Sequence, residues 1–407
     1  MLYFGIDWSQ DHHNLCILNE AGARLSAFKF EHSPTGFAQI ETERCKYNVA
    51  ASECPVGIET SYNLVVDYLL DYGYPVYLVP PQATRAYRNR LKSSGAHDDD
   101  SDAWLLASIL RTDREQHRRL QPNSPLTQRM AAQVRLIELL RRSIQRQTNQ
   151  LRSVLLRVFP QAVNWFSDLT TQISLEFLSA YPSARAAQTL NLEAFGTFLR
   201  EHGYTHTQFI AQRYATLQAP ALIAPDSVVS AYQNQVQTLA QILLPQVRHR
   251  NAALTELTQL FDQHPDAAIF RSLPIQGDLL VPALLTKFGD HRERFPSAAE
   301  VQALAGTCPV TQASGKRRLI KFRQGCDKEF RRIAQQFAQA SLLKSNWATA
   351  YWQDLRPHCR SDSHAYRILA NRWLAIIWKL WYTHQPYDEV YHLKQRAARS
   401  RPKSAAA

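Results

Sequence analysis

The chain has 407 residues, 45% of them hydrophobic, and a formal net charge of +12, so it is too long for one ordinary core and too apolar to stay unfolded. It contains no apolar run of the roughly 18–20 residues that a bilayer span requires, and its start, MLYFGIDWSQ, lacks the basic region and cleavage site of a secretory leader. The six cysteines (Cys16, Cys45, Cys54, Cys308, Cys326, Cys359) form no CxxC pair and have no histidine at zinc spacing, which excludes a disulfide framework or zinc module and predicts a cytoplasmic protein with reduced thiols and no membrane partner.

Residues 1–110 read as alternating strands and helices. The apolar run Leu2–Trp8 predicts a first strand, Asn14–Asn19 and Arg24–Phe30 predict two more, and Glu20–Ala23 is the turn between them. Ser33 caps a helix that starts on Pro34 and runs to about Tyr47. Two short β-rich runs follow, Val56–Glu59 and Val76–Val79, separated by a helical stretch from Ser61 to Tyr72. This order indicates a mixed sheet with helices on its faces.

Beyond Asp99 the pattern is helical. Met130, Val134, Ile137, Ile144, Leu151, Leu155 and Val158 recur at a spacing of three to four, with Arg141 and Thr148 as polar exceptions. They predict a long amphipathic helix of coiled-coil type. A second such stretch carries Val229, Tyr232, Val236, Leu239 and Leu243 and is expected to stop at Pro245. The two stretches are expected to pack on one another or on a second subunit. Segment 160–226 is helical without recognisable chemistry. Further on, Leu273–Gly277 opens a helix that ends at Gly289, and Phe295-Pro296-Ser297 starts another that stops at Ala305-Gly306. This pair has the outline of a helix–hairpin–helix. The end, 396–407, reads as a basic disordered tail.

The positive charge is clustered. Arg111–Arg157 holds eleven arginines against three acids, 316–332 holds eight basic residues against two acids, and 394–403 adds five with none. Such clusters suit a polyanion, because phosphate contacts release counterions.

Asp7 lies in an apolar strand run, and Glu59 ends another. Buried carboxylates of this kind call for a partner or a metal ion. In Asp98-Asp99-Asp100-Ser101-Asp102, Asp99 and Asp102 share a helical face, as do Asp98 and Asp102. Together Asp7, Glu59, Asp99 and Asp102 supply hard oxygen ligands suited to Mg²⁺ or Mn²⁺ rather than zinc, and two such ions serve phosphodiester chemistry. Acids on a first strand, a fourth strand and a following helix fit an RNase H-like nuclease.

The segments GIDWSQDHH, GIETSYNLVVDYLLDYGYPVYLVPP, HDDDSDAWLLA and FPSAAEVQALAGTCPVTQASGKRR resemble the IS110-type (DEDD) transposases in order over nearly the whole chain. The resemblance implies an α/β plus all-α chain. A RuvC-like (RNase H-like) catalytic domain occupies 1–120, long coiled-coil helices with a helical insert 121–265, and a small helical transposase domain 266–395. It implies that Asp7, Glu59, Asp99 and Asp102 bind Mg²⁺ and are catalytic, with the third acid falling on Asp98 or Asp99 and the D-x-x-D-A spacing favouring Asp99. It also implies that Ser314 becomes covalently joined to DNA. It further implies that a structured element-encoded (bridge) RNA selects donor and target DNA and that the protein acts as a homo-oligomer, a dimer or tetramer. The turn Pro274-Ile275-Gln276-Gly277 departs from the family's glycine-rich one.

Ser314 sits in a polar stretch, Thr311–Gly315, read as a flexible turn, with Lys316, Arg317, Arg318, Lys321 and Arg323 following as nucleic-acid contacts. No local base is available to activate it, so a metal brought by the acids is expected to do so. Three readings stand: a serine transposase, a RuvC-like metal nuclease that uses water alone, and a non-catalytic nucleic-acid scaffold.

Overall fold

The computed structural model describes residues 1–91, 99–165, 168–219, 223–315 and 317–400. The chain divides into two compact units, Met1–Pro122 and Asn123–Ala407.

The first unit is built on one sheet. β1 (Tyr3–Trp8), β2 (His12–Leu18) and β3 (Arg24–Glu31) form an antiparallel meander. α1 (Pro34–Cys45) follows, started by Ser33, whose hydroxyl accepts from the Gly36 amide at 3.0 Å. β4 (Val56–Ile58), α2 (Leu64–Asp71) and β5 (Val76–Leu78) return the chain parallel to β1, and α3 (Pro81–Leu91) and α4 (Asp99–Asp113) precede a last edge pairing, β6 (Arg118–Arg119). The strand order is β3-β2-β1-β4-β5-β6, an RNase H-like mixed sheet. β6 escapes sequence reading because two arginines have no apolar alternation; the exposed edge of β5 recruits them.

His13, fully buried on β2, lies 2.9 Å from His32 and packs on Phe30. Burial, then the charges of His32 and His12, lower its pKa from 6.5 to about 4. A folded-state value below the unfolded one means that neutral His13 contributes stability above pH 6.5, and that this is lost as pH falls toward 4. The thermal stability of wild type is therefore expected to fall over that window more than that of His13→Gln. Parallel curves for the two proteins would refute it.

In the second unit α5 (Pro125–Val158) leads to a group of short helices: α6 (Ala162–Trp165), α7 (Gln172–Ala180), α8 (Ala184–Gln188), α9 (Leu192–Glu201) and α10 (Ile210–Gln218). α11 (Asp226–Asp262) then runs back along α5, as the pairs Arg157–Tyr232, Gln147–Gln246 and Arg129–Glu256 show. All seven apolar positions expected on the inner face of α5 are buried. The pair packs on itself, antiparallel.

Two expectations need correction here. Pro245 does not stop the second long helix, which continues through it to Asp262. An interior proline costs about 3 kcal/mol, and buried Val236, Ala240, Leu243 and Val247 on the same helix offset it. The basic tail is also ordered further than expected. α18 (Glu389–Ser400) is helical, with Arg396 bonded to the Ala350 carbonyl at 3.1 Å and paired with Asp354. Residues 401–407 lie outside the described residues.

The ends of α5 and α11 share a second core with α12 (Ala267–Arg271), α13 (Leu280–Phe288), α14 (Ala298–Leu304), α15 (Lys328–Ser341), α16 (Asn346–Leu355) and α17 (Asp362–Thr383). Gly289 and Gly306, at φ +76° and +63°, end α13 and α14 where the sequence places the stops. From this helical body a two-stranded ribbon emerges, β7 (Val310–Ser314) and β8 (Arg317–Lys321). Among the described residues no helix is long and apolar enough to cross a membrane.

Candidate active site

β1 and β4 are neighbours in parallel register, Ile6 opposite Ile58. Asp7 and Glu59 therefore occupy equivalent next positions at the carboxyl ends of adjacent strands. By strand alternation Asp7 shares a face with Gly5, and Glu59 with Gly57. That face is covered by α4. A Cβ on Gly5 would stand 2.0 Å from the Ala103 carbonyl oxygen, and one on Gly57 3.0 Å from that of Leu106. The two glycines let the helix lie directly on the backbone of the sheet. Thr84 and Arg88, one turn apart on α3, bond to Glu59 and Asp102 respectively, which brings the Asp102 end of α4 toward Glu59.

The acids have partners of their own. Glu59, exposed just past β4, accepts a 2.6 Å hydrogen bond from the Thr84 hydroxyl of α3, and Thr84 is itself buried. Asp102 is paired with the Arg88 guanidinium of α3, and Arg88 Nε is buried with no partner. Asp7 is half-buried on β1. Asp98 lies outside the described residues, and of Asp99 only its place at the start of α4 is described. Among the described residues no three His, Cys, Asp or Glu side chains gather closely enough to hold a metal ion. The structure thus brings Asp7, Glu59 and the helix start to one end of the sheet, but Arg88 and Thr84 hold two of the carboxylates. Neither contact is legible in the sequence, since both partners come from a helix with no acid pattern of its own.

Ser314 is not in a flexible turn. It is the last residue of β7, pairing with Arg317, and the turn begins at Gly315, whose φ of +53° few other residues adopt. The run VTQAS finds an extended partner in RRLIK, which moves the turn toward the glycine. Gln312, Ser314, Arg317, Leu319 and Lys321 share one face of the ribbon. Thr311, Ala313, Arg318 and Ile320 share the other. Both strands are exposed. Lys316 lies outside the described residues, and Arg323 follows the ribbon, its carbonyl accepting from Arg331 at 2.5 Å.

Comparison with known proteins places these two regions in one context. Residues 4–160 match the DEDD family of IS110 type, described as a transposase, and residues 267–353 match the family described as "Transposase IS116/IS110/IS902 family". A Streptomyces coelicolor protein named "Mini-circle putative transposase for IS117" is 29% identical over 396 residues, covering 95% of each chain. A Sinorhizobium fredii protein, "Putative transposase y4uE", is 28% identical over 202 residues, 49% of this chain and 56% of its own.

Proposed function

Because the chain belongs to the IS110 family of transposases, enzymes that cut and transfer DNA, we propose that it joins DNA covalently through Ser314 and uses Asp7, Glu59, Asp99 and Asp102 as the ligands of Mg²⁺ or Mn²⁺. The observation that carries the acid half is the register of β1 and β4, which sets two carboxylates side by side beneath the start of α4. Oxygen donors of this kind fit a hard divalent cation, whose charge would replace the one that Arg88 supplies at Asp102. When bound, the metal supplies Lewis-acid stabilisation of phosphodiester oxygens. The chain's own residues do the rest. Thr84 orients Glu59, and Arg88 holds Asp102 until it is displaced.

For the serine half, support comes from the exposed ribbon. Ser314 faces solvent with Arg317 directly across the strands and Lys321 further along the same face. A guanidinium beside a hydroxyl suits a phosphodiester under attack, and Lys321, about 14 Å along the strand at about 3.4 Å per residue, extends the positive face beyond it. The hydroxyl oxygen forms a bond to phosphorus, its proton leaves, and the departing sugar oxygen takes the broken bond. Arg318 points the other way and takes no part in this step.

The guide is proposed to be a structured RNA of the element, and the working form a homo-oligomer. Support for these is the family likeness.

The test is denaturing electrophoresis after incubation with Mg²⁺, element-end DNA and the candidate RNA. A protein–DNA adduct is expected from wild type and absent from Ser314→Ala. Cleavage that survives Ser314→Ala and fails in Asp7→Ala would replace this reading with a RuvC-like nuclease that uses water.

A further inference from the structure

At the root of the ribbon, immediately after β8, the Phe322 ring carries two guanidinium groups. Arg331 of α15 lies 4.3 Å from its centroid and Arg367 of α17 4.7 Å. Arg323 is tied to the same group, since Arg331 Nη2 donates to its carbonyl. The Nε atoms of Arg323 and Arg331 are both buried without a partner. Among the described residues no carboxylate pairs with any of the three arginines. Burial, and then the positive charge of Arg331, draw Arg367 below the usual arginine range. Gly306 makes the room: a Cβ there would stand 2.5 Å from an Arg331 guanidinium nitrogen.

This arrangement is unfavourable in the protein alone. Like charges are held together, partly desolvated, with donors unused and no anion to offset them. An aromatic ring offers each guanidinium a stacking surface but no negative charge. Fork-shaped donors on a rigid base match a phosphate, and phosphodiester is the anion this enzyme's substrate carries.

We propose that Arg331 and Arg367, braced on Phe322, form a binding site for a DNA backbone phosphate away from the scissile one, with Arg323 held next to them by its carbonyl. The site rests on DNA binding and not on serine chemistry. Its place relative to the cut does rest on the Ser314 reading. Five residues of strand separate Arg317 from Phe322, about 17 Å at about 3.4 Å per residue. A duplex rises about 3.4 Å per nucleotide, so for a ribbon lying along the DNA the phosphate is about five nucleotides from the one attacked.

The experiment measures the affinity of the full chain for a mixed-sequence DNA duplex between roughly 50 and 200 mM salt. The double variant Arg331→Gln/Arg367→Gln is expected to reduce the slope of log affinity against log salt by about one, since the one phosphate left without its cations lowers the slope by about 0.9. The Arg331→Lys/Arg367→Lys variant, which keeps both charges, is expected to retain most of it. Ser314→Ala should leave the slope unchanged, which separates this site from the nucleophile. An unchanged slope in the glutamine pair would overturn the proposal. So would an equal loss in the lysine pair, which would make the arginines mere anchors of the ribbon, or a loss seen only with an RNA duplex of the same sequence.

Discussion

Asp102→Asn is expected to lower DNA strand cleavage by on the order of a thousandfold or more, with the fold retained. The substitution keeps the shape of the side chain and its hydrogen-bonding oxygen while removing the charge that a divalent ion needs. Its structural cost is small. The partner, Arg88, is partly exposed, with side-chain accessibilities of 20% and 23% for the pair, so an ion pair in this setting contributes only modestly. The comparison is made between single-turnover cleavage of element-end DNA and the thermal unfolding midpoint of the same preparation. Undiminished cleavage would remove Asp102 from the metal site. Cleavage that disappears together with the fold would instead assign the Arg88–Asp102 pair a structural role, which Arg88→Gln would then reproduce.

The second large effect involves no acid at all. Gly5→Val is expected to destabilise the N-terminal unit by about 3 kcal/mol or more, at the upper end of overpacking costs. Any Cβ at this position would lie 2.0 Å from the Ala103 carbonyl oxygen and 2.4 Å from the Ala107 amide nitrogen. These are backbone atoms of α4 and cannot rotate aside. Either the helix lifts off the sheet or the strand shifts, and in both cases Asp102 moves away from Asp7 and Glu59. Cleavage should fall with stability, and Mn²⁺ binding by calorimetry should weaken although every carboxylate is present. A Gly5→Val protein with wild-type unfolding and full activity would mean that α4 does not lie on β1 as described. Valine at Gly73 makes a useful contrast: a Cβ there meets nothing within 4 Å, so its cost is confined to the backbone at φ +83°.

Much of this architecture is legible in the sequence because it is written in short periods. The strand runs around Asp7 and Glu59, the Ser33 cap with Pro34, the glycine stops at Gly289 and Gly306, and the inner face of α5 each depend on residues within a few positions of one another. The departures share a different cause. Pro245 has a local preference for ending a helix, and long-range packing of α11 along α5 overrides it. Ser314 has the neighbours of a polar turn, and pairing with Arg317 makes it the end of a strand. Arg396 has the surroundings of a disordered tail, and contacts with α16 order it.

The sequence by itself determined that this is a basic, mixed α/β and helical chain with carboxylates at strand ends, likeness to DEDD transposases, and an excess of arginine fit for a polyanion. Those properties reside in composition and local spacing. Only the tertiary structure decided that Asp7 and Glu59 stand side by side, that two glycines let α4 touch the sheet, and that Arg88 already neutralises Asp102. It alone separated Arg317 from Arg318 across the ribbon and gathered Arg331 and Arg367 on Phe322. The reason is that strand register, backbone contact and unpaired charge depend on residues far apart in the chain, and no local pattern carries them.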